Sequence, residues 1–577
     1  MKFETKYAGY LLFGVAFIVF VAHLEVLLVN IMEARNFITA REMIVDGNWL
    51  LTTINGEPRY QKPPLPTWLT ACSALVFGLK NIAALRLPAA IMGLFTVMIS
   101  YALALKFTRN KSYALWSGLI LTTSFYIVFA GRNGQWDIFT HAFMMGGIYC
   151  LYQLFEQSKF RWTYAVLTGI FIGASFMSKG PVSLYALFLP LILAKAIVSG
   201  WRGMKSNLGP LLVLTIVGLA TSLWWHGYIN LADPENLKAI TQKETSNWSS
   251  YNVKPFYYYW SFFIQSGLWT IPAVLSLAYP YLKTRVFNGK VYGLSFWWTI
   301  CAVGLLSLIP EKKPRYLLPV LIPLAFNVGF FVVYAIKQYK NMGLWLRLPL
   351  QLHFGILSLV GLGFPAGAWL FLGASLEPYM MWFVLTAVGL ALCGSVILYG
   401  LVKSQIRWAF SGSIAMIVVI VLFGMPMAPA VSQNPEYKPL RQLADWAQEN
   451  KLNIYEFGGF TPEMVWDFGK PIPGLLKDGV FIQPRDSVFG VIVSQDNLKG
   501  FKKQFSEAEV KLIERYDMNP QGPGQRTHRP RLWRDFFMVR SQTKAQNEPQ
   551  NNGVKNDPPS DHLKPVDSGH TSDEPSL

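Results

Sequence analysis

The 577 residues predict an α-helical polytopic membrane protein of about 13 transmembrane helices with a small α/β domain near the C-terminus. Three observations predict it. Apolar residues make up 52% of the chain and charged residues only 15%, where a soluble protein carries roughly 25% charged. Apolar runs long enough to cross a bilayer recur through most of the chain. After the last run the pattern changes to short helical and strand-like segments. Mean hydropathy is +0.30, so lipid is the solvent for most of this chain.

A membrane-crossing helix needs about 20 mainly apolar residues. That window places spans at 8–30, 84–106, 112–130, 138–155, 162–178, 181–199 and 209–227. It places the rest at 256–282, 291–309, 317–336, 348–371, 379–401 and 408–427. The first run follows Lys2 and Lys6, exceeds a signal-peptide core and lacks a small-x-small cleavage pattern, so it reads as a retained span. Only Ser178-Lys179-Gly180-Pro181 breaks the apolar stretch 162–199.

Basic residues set the sides. Alternate breaks hold Lys106, Arg109 and Lys111; Lys159 and Arg161; Arg202 and Lys205; Lys283, Arg285 and Lys290; Lys337, Lys340 and Arg347; Lys403 and Arg407. Lys and Arg favour the cytoplasmic side, which puts the N-terminus inside. The outer breaks are then 31–83, 131–137, 179–180, 228–255, 310–316 and 372–378. Residues 1–430 form the transmembrane domain, and 31–83 its first periplasmic loop.

Residues 431–541 read as a periplasmic α/β domain. Glu436–Glu449 and Leu498–Phe505 carry helical patterns; Asn453–Phe457, Val488–Val493 and Leu532–Val539 read as extended. The polar segment 542–577 reads as a disordered tail.

The net charge of +18 lies in short breaks between apolar runs. That pattern suits membrane headgroups and excludes nucleic acid as the implied partner. Cys72, Cys150, Cys301 and Cys393 stand far apart in apolar surroundings, which is neither a disulfide framework nor a zinc spacing.

The first outer loop is dense with chemistry. It runs Glu33-Ala34-Arg35, Ala40-Arg41-Glu42-Met43, Gly47-Asn48-Trp49, then Tyr60-Gln61-Lys62-Pro63-Pro64-Leu65. Residues 34–46 have the spacing of an amphipathic helix on the membrane surface. Pro63 and Pro64 restrict the backbone beside Lys62. The outer breaks also hold Arg35, Arg41, Arg59, Arg86, Arg132, Lys179, Lys312, Lys313 and Arg315. Orientation disfavours cations there, and a bound phosphate or pyrophosphate supplies a reason. For any single one, snorkelling to headgroups is the plainer alternative. Two acids stand beside them, Glu33 and Asp137, at a membrane boundary where carboxylates tend to be functional. Ion pairs of Glu33 with Arg35 and of Asp137 with Arg132 are the structural alternative.

These motifs resemble the GT-C glycosyltransferases related to protein O-mannosyltransferases and the lipid A aminoarabinose transferases. The likeness extends to Asp137 at the second outer loop, to Ser178-Lys179-Gly180, and to Lys313-Pro314-Arg315-Tyr316 with Pro319. It covers most of residues 10–430. Met32 stands where the family commonly has Asp, and Gln61 where it often has Glu. The resemblance implies a glycosyltransferase with a many-helix fold, long outer juxtamembrane helices and a periplasmic α/β cap. It further implies a polyprenyl-phosphate-linked sugar donor, such as an undecaprenyl-phosphate sugar, used at the periplasmic face of the bacterial inner membrane.

Cleaving such a donor builds negative charge on the lipid phosphate, which fixed cations stabilise. Arg35 and Lys62 are the first candidates for that role, with Lys179 and Arg315 behind them. An acceptor hydroxyl on a lipid, glycan or protein must lose a proton to a carboxylate: Glu33, preferred for its place beside Arg35, or Asp137. Tyr60, Gln61, Glu244 and Tyr316 are expected to position substrate, and Glu244 is equally a solvated loop acid. No His/Cys cluster with ligand spacing calls for a metal; a divalent ion held by Glu33 and Asp137 is the other option. A lipid or sugar transporter or flippase is the rival reading, and an envelope scaffold a second. Transporters place polar sites at the bilayer midplane on repeated halves, and neither feature is seen in the sequence.

Overall fold

The computed structural model describes residues 6–157, 159–200, 207–432, 434–477 and 479–540. The tail 542–577 lies outside the described residues, as do Lys2, Arg202 and Lys205. Seven described helices are long and apolar enough to cross a membrane. They become eight if Lys111–Thr123 and Phe125–Gly131, bent by 68° at Ser124, form one span. Three shorter apolar helices, Ala8–Val21, Leu65–Phe77 and Leu184–Ser199, join them. This is a multi-pass membrane protein.

Several spans expected to be continuous are broken, each for a visible reason. The first helix ends at Val21 rather than residue 30. Arg132 donates to the Val19 and His23 carbonyls at 2.8 and 3.1 Å. Arg86 donates to those of Leu24, Leu27 and Leu28 at 2.6, 2.9 and 3.3 Å. These buried guanidinium groups satisfy carbonyls that a helix end leaves open, so the chain can unwind inside the protein. The expected span 256–282 is a 3₁₀ stretch Phe256–Trp269 followed by Thr270–Ser276 and Tyr279–Leu282. Gly267 turns it with φ of +62°, where an added Cβ would sit 2.7 Å from that of Phe125.

The first outer loop is itself built of helices. Asn30 and Glu33 form a capping box that starts the helix Ile31–Val45. From Glu33 to Met43 every residue but Arg35 is buried, so this helix is enclosed by protein rather than left with one face open as an amphipathic surface helix would be. Its second face is covered by the C-terminal layer: Trp466 packs edge-on against Phe37 at 5.3 Å, and Arg41 donates to the Val465 carbonyl at 3.2 Å.

That layer carries a four-stranded sheet in the order Ile454–Phe457, Val488–Ser494, Trp533–Arg540, Glu509–Asp517. The first pair is parallel and the others antiparallel. Helices Arg441–Glu449, Pro462–Phe468 and Leu498–Gln504 accompany it. Strand Glu509–Asp517 and helix Pro462–Phe468 were not anticipated. The strand interleaves charges and remains largely exposed, which blurs the alternation that marks a half-buried strand. Ile38 and Ile54 of the first loop join the core around Leu443, Phe468 and Phe536, so loop and layer share one hydrophobic seam.

Candidate active site

A small hairpin places the first cation. Strands Thr53–Ile54 and Glu57–Pro58 pair antiparallel across Asn55 and Gly56, whose φ values of +56° and +77° suit a tight two-residue turn. Glu42, buried on the preceding helix, accepts from Thr53 Oγ1 at 2.5 Å, Asn55 N at 2.7 Å and Gly56 N at 3.4 Å. At the exit Arg59 donates through its backbone to the Thr52 carbonyl at 2.8 Å and through its side chain to Thr39 Oγ1 at 3.0 Å. Its guanidinium lies 4.6 Å from the Trp136 ring centre. Burial, then the neighbouring Arg35, lowers it to about 9. Tyr60 donates to Asp233 Oδ2 at 2.7 Å and meets Trp225 edge-on. Lys62 therefore leaves a segment anchored on both sides, with Pro63 and Pro64 following.

Lys62 is half-buried, 3.9 Å from Glu244. Burial lowers its ammonium to about 8; Glu244 opposes the shift, and Lys179, Arg315 and Arg59 add to it. Repulsion among like charges in one place is the condition that a bound anion relieves.

The opposite wall comes from two helix ends. Asp137 opens the helix Asp137–Glu156, and Lys179 closes Arg161–Lys179 before Gly180 turns at φ +72°. Their side chains form a buried ion pair, 4% and 8% exposed. Each charge also suits its helix end: acid at the N-terminus, base at the C-terminus. The Lys179 ammonium lies over the Tyr316 ring at 5.3 Å. Arg315 sits over the same ring at 5.9 Å and acts electrostatically on Asp137, Lys179 and Lys62. Lys313 pairs with Glu311 at 2.9 Å, and Tyr316 Oη donates toward Glu311 at 3.4 Å. The backbone of Lys312 bonds that of Asn252 at 3.1 Å, and Lys254 that of Pro310 at 3.3 Å, which pins this segment to the chain before Phe256.

The charges of Lys179, Arg315 and Arg59 thus all bear on Lys62, while Asp137 pairs with Lys179 and feels Arg315. Arg35 borders the group through its effect on Arg59. Glu244 lies against Lys62, Tyr316 beneath Lys179, Tyr60 serves as an anchor, and Gln61 is exposed beside Lys62.

Glu33 belongs elsewhere. Its carboxylate accepts from Arg86 Nε and Nη2 at 2.7 and 2.9 Å, from Gly134 N at 2.9 Å, and from Asn30 Nδ2 and N at 2.9 and 3.3 Å. Five donors use up the roughly four lone-pair sites a carboxylate offers, and the residue is fully buried. Glu33 is a joint between the first loop, the helix Ile82–Thr108 and the Gly134 turn. Both anticipated ion pairs also change partner: Glu33 binds Arg86 rather than Arg35, and Asp137 binds Lys179 rather than Arg132. Each acid is thus matched to a cation, Glu33 to Arg86 and Asp137 to Lys179. Among the described residues no group of three or more His, Cys, Asp or Glu is placed to hold a metal.

The cations therefore divide by partner. Arg41, Arg86, Arg132 and Lys312 donate to backbone carbonyls and stitch the fold; Lys179, Arg315 and Arg59 act electrostatically on Lys62. Glu42 and Asp233 were missed as organisers of the site. The Asn55-Gly56 dipeptide, a hairpin signal in itself, is the cue that pointed to Glu42's neighbourhood.

The dolichyl-phosphate-mannose-protein mannosyltransferase family matches residues 61–225, a stretch that includes Lys62, Asp137 and Lys179. A protein of Aquifex aeolicus is 26% identical over 328 residues, 53% of this chain and 60% of its own. The undecaprenyl phosphate-alpha-4-amino-4-deoxy-L-arabinose arabinosyl transferase of Pseudomonas savastanoi pv. phaseolicola is 24% identical over 324 residues, 54% of this chain and 58% of its own. These matches span less than two thirds of the relatives' length. The crystal structure of ArnT from Cupriavidus metallidurans bound to undecaprenyl phosphate superimposes with a TM-score of 0.64 over 94% of this chain and 98% of that one, at 16% identity. The fold is that of this ArnT structure. The cationic cluster draws on the segment after the 53–58 hairpin, two helix ends and the 309–316 segment.

Proposed function

We propose that this protein transfers a sugar from a polyprenyl-phosphate donor, such as an undecaprenyl-phosphate-linked sugar, to a hydroxyl of a lipid, glycan or protein acceptor. The observation that carries the reading is the buried Lys179–Asp137 pair against Tyr316, with Lys179, Arg315 and Arg59 all bearing on Lys62. The names of the relatives support the donor class.

The acceptor oxygen attacks the anomeric carbon as the bond from that carbon to the phosphate oxygen breaks. The electron pair leaves with the lipid phosphate, and the acceptor's proton goes to a carboxylate. Lys62, Arg315 and Arg59 stabilise the charge that accumulates on the phosphate. Asp137 is the carboxylate on hand, and at rest it is occupied by Lys179. A donor phosphate competes for the Lys179 ammonium and leaves Asp137 able to take the proton. Glu33 holds the frame and takes no part in the proton transfer.

In the membrane we place about thirteen spans with the N-terminus inside. Residues 1–430 form the catalytic domain, and 431–541 a periplasmic cap over the first loop, in a bacterial inner membrane. The test is transfer of labelled sugar in proteoliposomes supplied with undecaprenyl-phosphate sugar. Labelled acceptor is the expected product, lost in Lys62→Ala. Uptake of the sugar without product would move the protein to the transporters.

A further inference from the structure

The end of the molecule away from the cationic cluster carries a second basic feature. Helix Gly289–Leu308 has 20 residues and so rises about 30 Å, the thickness of a bilayer's hydrocarbon core. Its C-terminal end leads into Glu311, Lys313 and Arg315. At its N-terminal end a hollow of about 630 Å³ opens between this helix, the end of Leu189–Ser199 and the segment Tyr279–Leu282. Lys283, Thr284 and Lys290 supply its polar lining; Ile197, Tyr279 and Trp297 supply the apolar wall.

The lining divides as a lipid molecule does. Two ammonium groups and a hydroxyl suit a phosphodiester. Tyr279 and Trp297 are the aromatic types that settle at headgroup depth, and Ile197 is an exposed apolar side chain next to them. Tyr279 is a firm wall, stacked on Phe296 at 4.4 Å and on Tyr292 at 5.7 Å. Gly293 keeps the hollow open, since even a Cβ there would stand 3.2 Å from Tyr279 Oη. Among the described residues no Asp or Glu lines the hollow, nor the smaller one of about 90 Å³ that Arg285 and Lys337 border. Orientation alone accounts for basic residues on this side, but not for a concave site between helices that gathers them without a counter-charge.

The geometry points to a binding site for the phosphate headgroup of an anionic phospholipid, one membrane thickness from the site of sugar transfer. The site is independent of the proposed reaction. Basic pockets between membrane helices are suited to such headgroups.

The purified full-length protein is equilibrated with mixed micelles of phosphatidylglycerol and phosphatidylcholine, and retained lipid is counted by native mass spectrometry. Wild type is expected to retain phosphatidylglycerol in preference, and Lys283→Gln with Lys290→Gln to lower that retention roughly tenfold. Lys340→Gln, exposed and outside the hollow, leaves it unchanged. Gly293→Leu fills the hollow and gives the same loss; the two exposed lysines keep the test valid if that variant does not fold. Equal retention of both lipids by wild type, or undiminished phosphatidylglycerol on the double variant, overturns the site. Displacement of the lipid by millimolar inorganic phosphate also overturns it, since the pocket would then select a free ion.

Discussion

Asp137 and Lys179 close a buried ion pair between the start of one helix and the end of the next, 42 positions apart in the chain. Each is the terminal residue of its helix, so the pair fixes the two ends relative to each other while setting a carboxylate and an ammonium beside Arg315 and Lys62. A pair of this kind is costly to break from one side, because the partner is left charged and buried. It is easier to exchange, when an incoming anion takes over the ammonium. Asp137→Asn is therefore expected to keep donor-lipid binding and to lower turnover by about 10²–10⁴-fold, the usual worth of a positioned base. Single-turnover transfer from a labelled donor, alongside a binding measurement, separates the two effects.

Lys62 should matter most to the leaving phosphate. Lys62→Ala is expected to cut kcat/KM by about 10²–10³-fold, the scale seen when one fixed donor to a developing anion is removed. Expression level and detergent-extracted elution profile should match wild type, since the side chain is half-buried and its partner is the exposed Glu244.

The pH dependence follows from the same residue. Lys62 is lowered to about 8, first by burial, so it is charged below that value and loses its proton as pH rises through it. Affinity for undecaprenyl phosphate is expected to be constant to about pH 7 and to fall by roughly tenfold by pH 9. Lys62→Arg, which stays charged, should flatten the decline. A flat profile in wild type would remove Lys62 from the phosphate site.

Glu33 and Arg86 should behave as structure. Glu33→Ala leaves a buried guanidinium unmatched, with an expected loss of about 3–5 kcal/mol, visible as a lowered Tm. The double change Glu33→Leu with Arg86→Met removes both charges and should recover part of that loss. If the double variant regains stability and sugar transfer together, Glu33 has no catalytic role.

The C-terminal layer carries its own titration. Burial raises Glu456 to about 7, against the opposing pull of Arg534 and the Gly459 amide. In the unfolded chain the group ionises near its ordinary value of 4.5, so the folded form binds more protons between the two values. Stability is then greatest below that window and declines as pH rises through 7. Glu456→Gln should abolish the decline, read from unfolding of the full-length protein at pH 5 and pH 8.

Much of this was legible along the chain, and the reason is locality. A run of apolar residues needs no distant partner to prefer lipid, so 84–106, 291–309 and 317–336 were readable as membrane helices and appear as Ile82–Thr108, Gly289–Leu308 and Leu318–Gln338. Lys62 beside two prolines, and Lys179 and Arg315 in breaks between apolar runs, stood out for the same reason. The interruptions did not. The first helix stops at Val21 because Arg132 and Arg86 arrive from elsewhere to take up the carbonyls of Val19 and of the unwound residues His23, Leu24, Leu27 and Leu28, and nothing in residues 8–30 records that arrival.

Pairing was the other blind spot. Glu33 and Arg35 stand two apart on one helix and so face different directions, while Arg86, 53 residues on, is carried to Glu33 by the packing of a second helix. The sequence by itself determined which segments are apolar enough to prefer lipid and which charged side chains stand in the breaks between them. Only the tertiary structure decided which charges neutralise the fold and which face one another with charge to spare. Coulomb energy depends on distance and burial, and neither is a property of position in the chain.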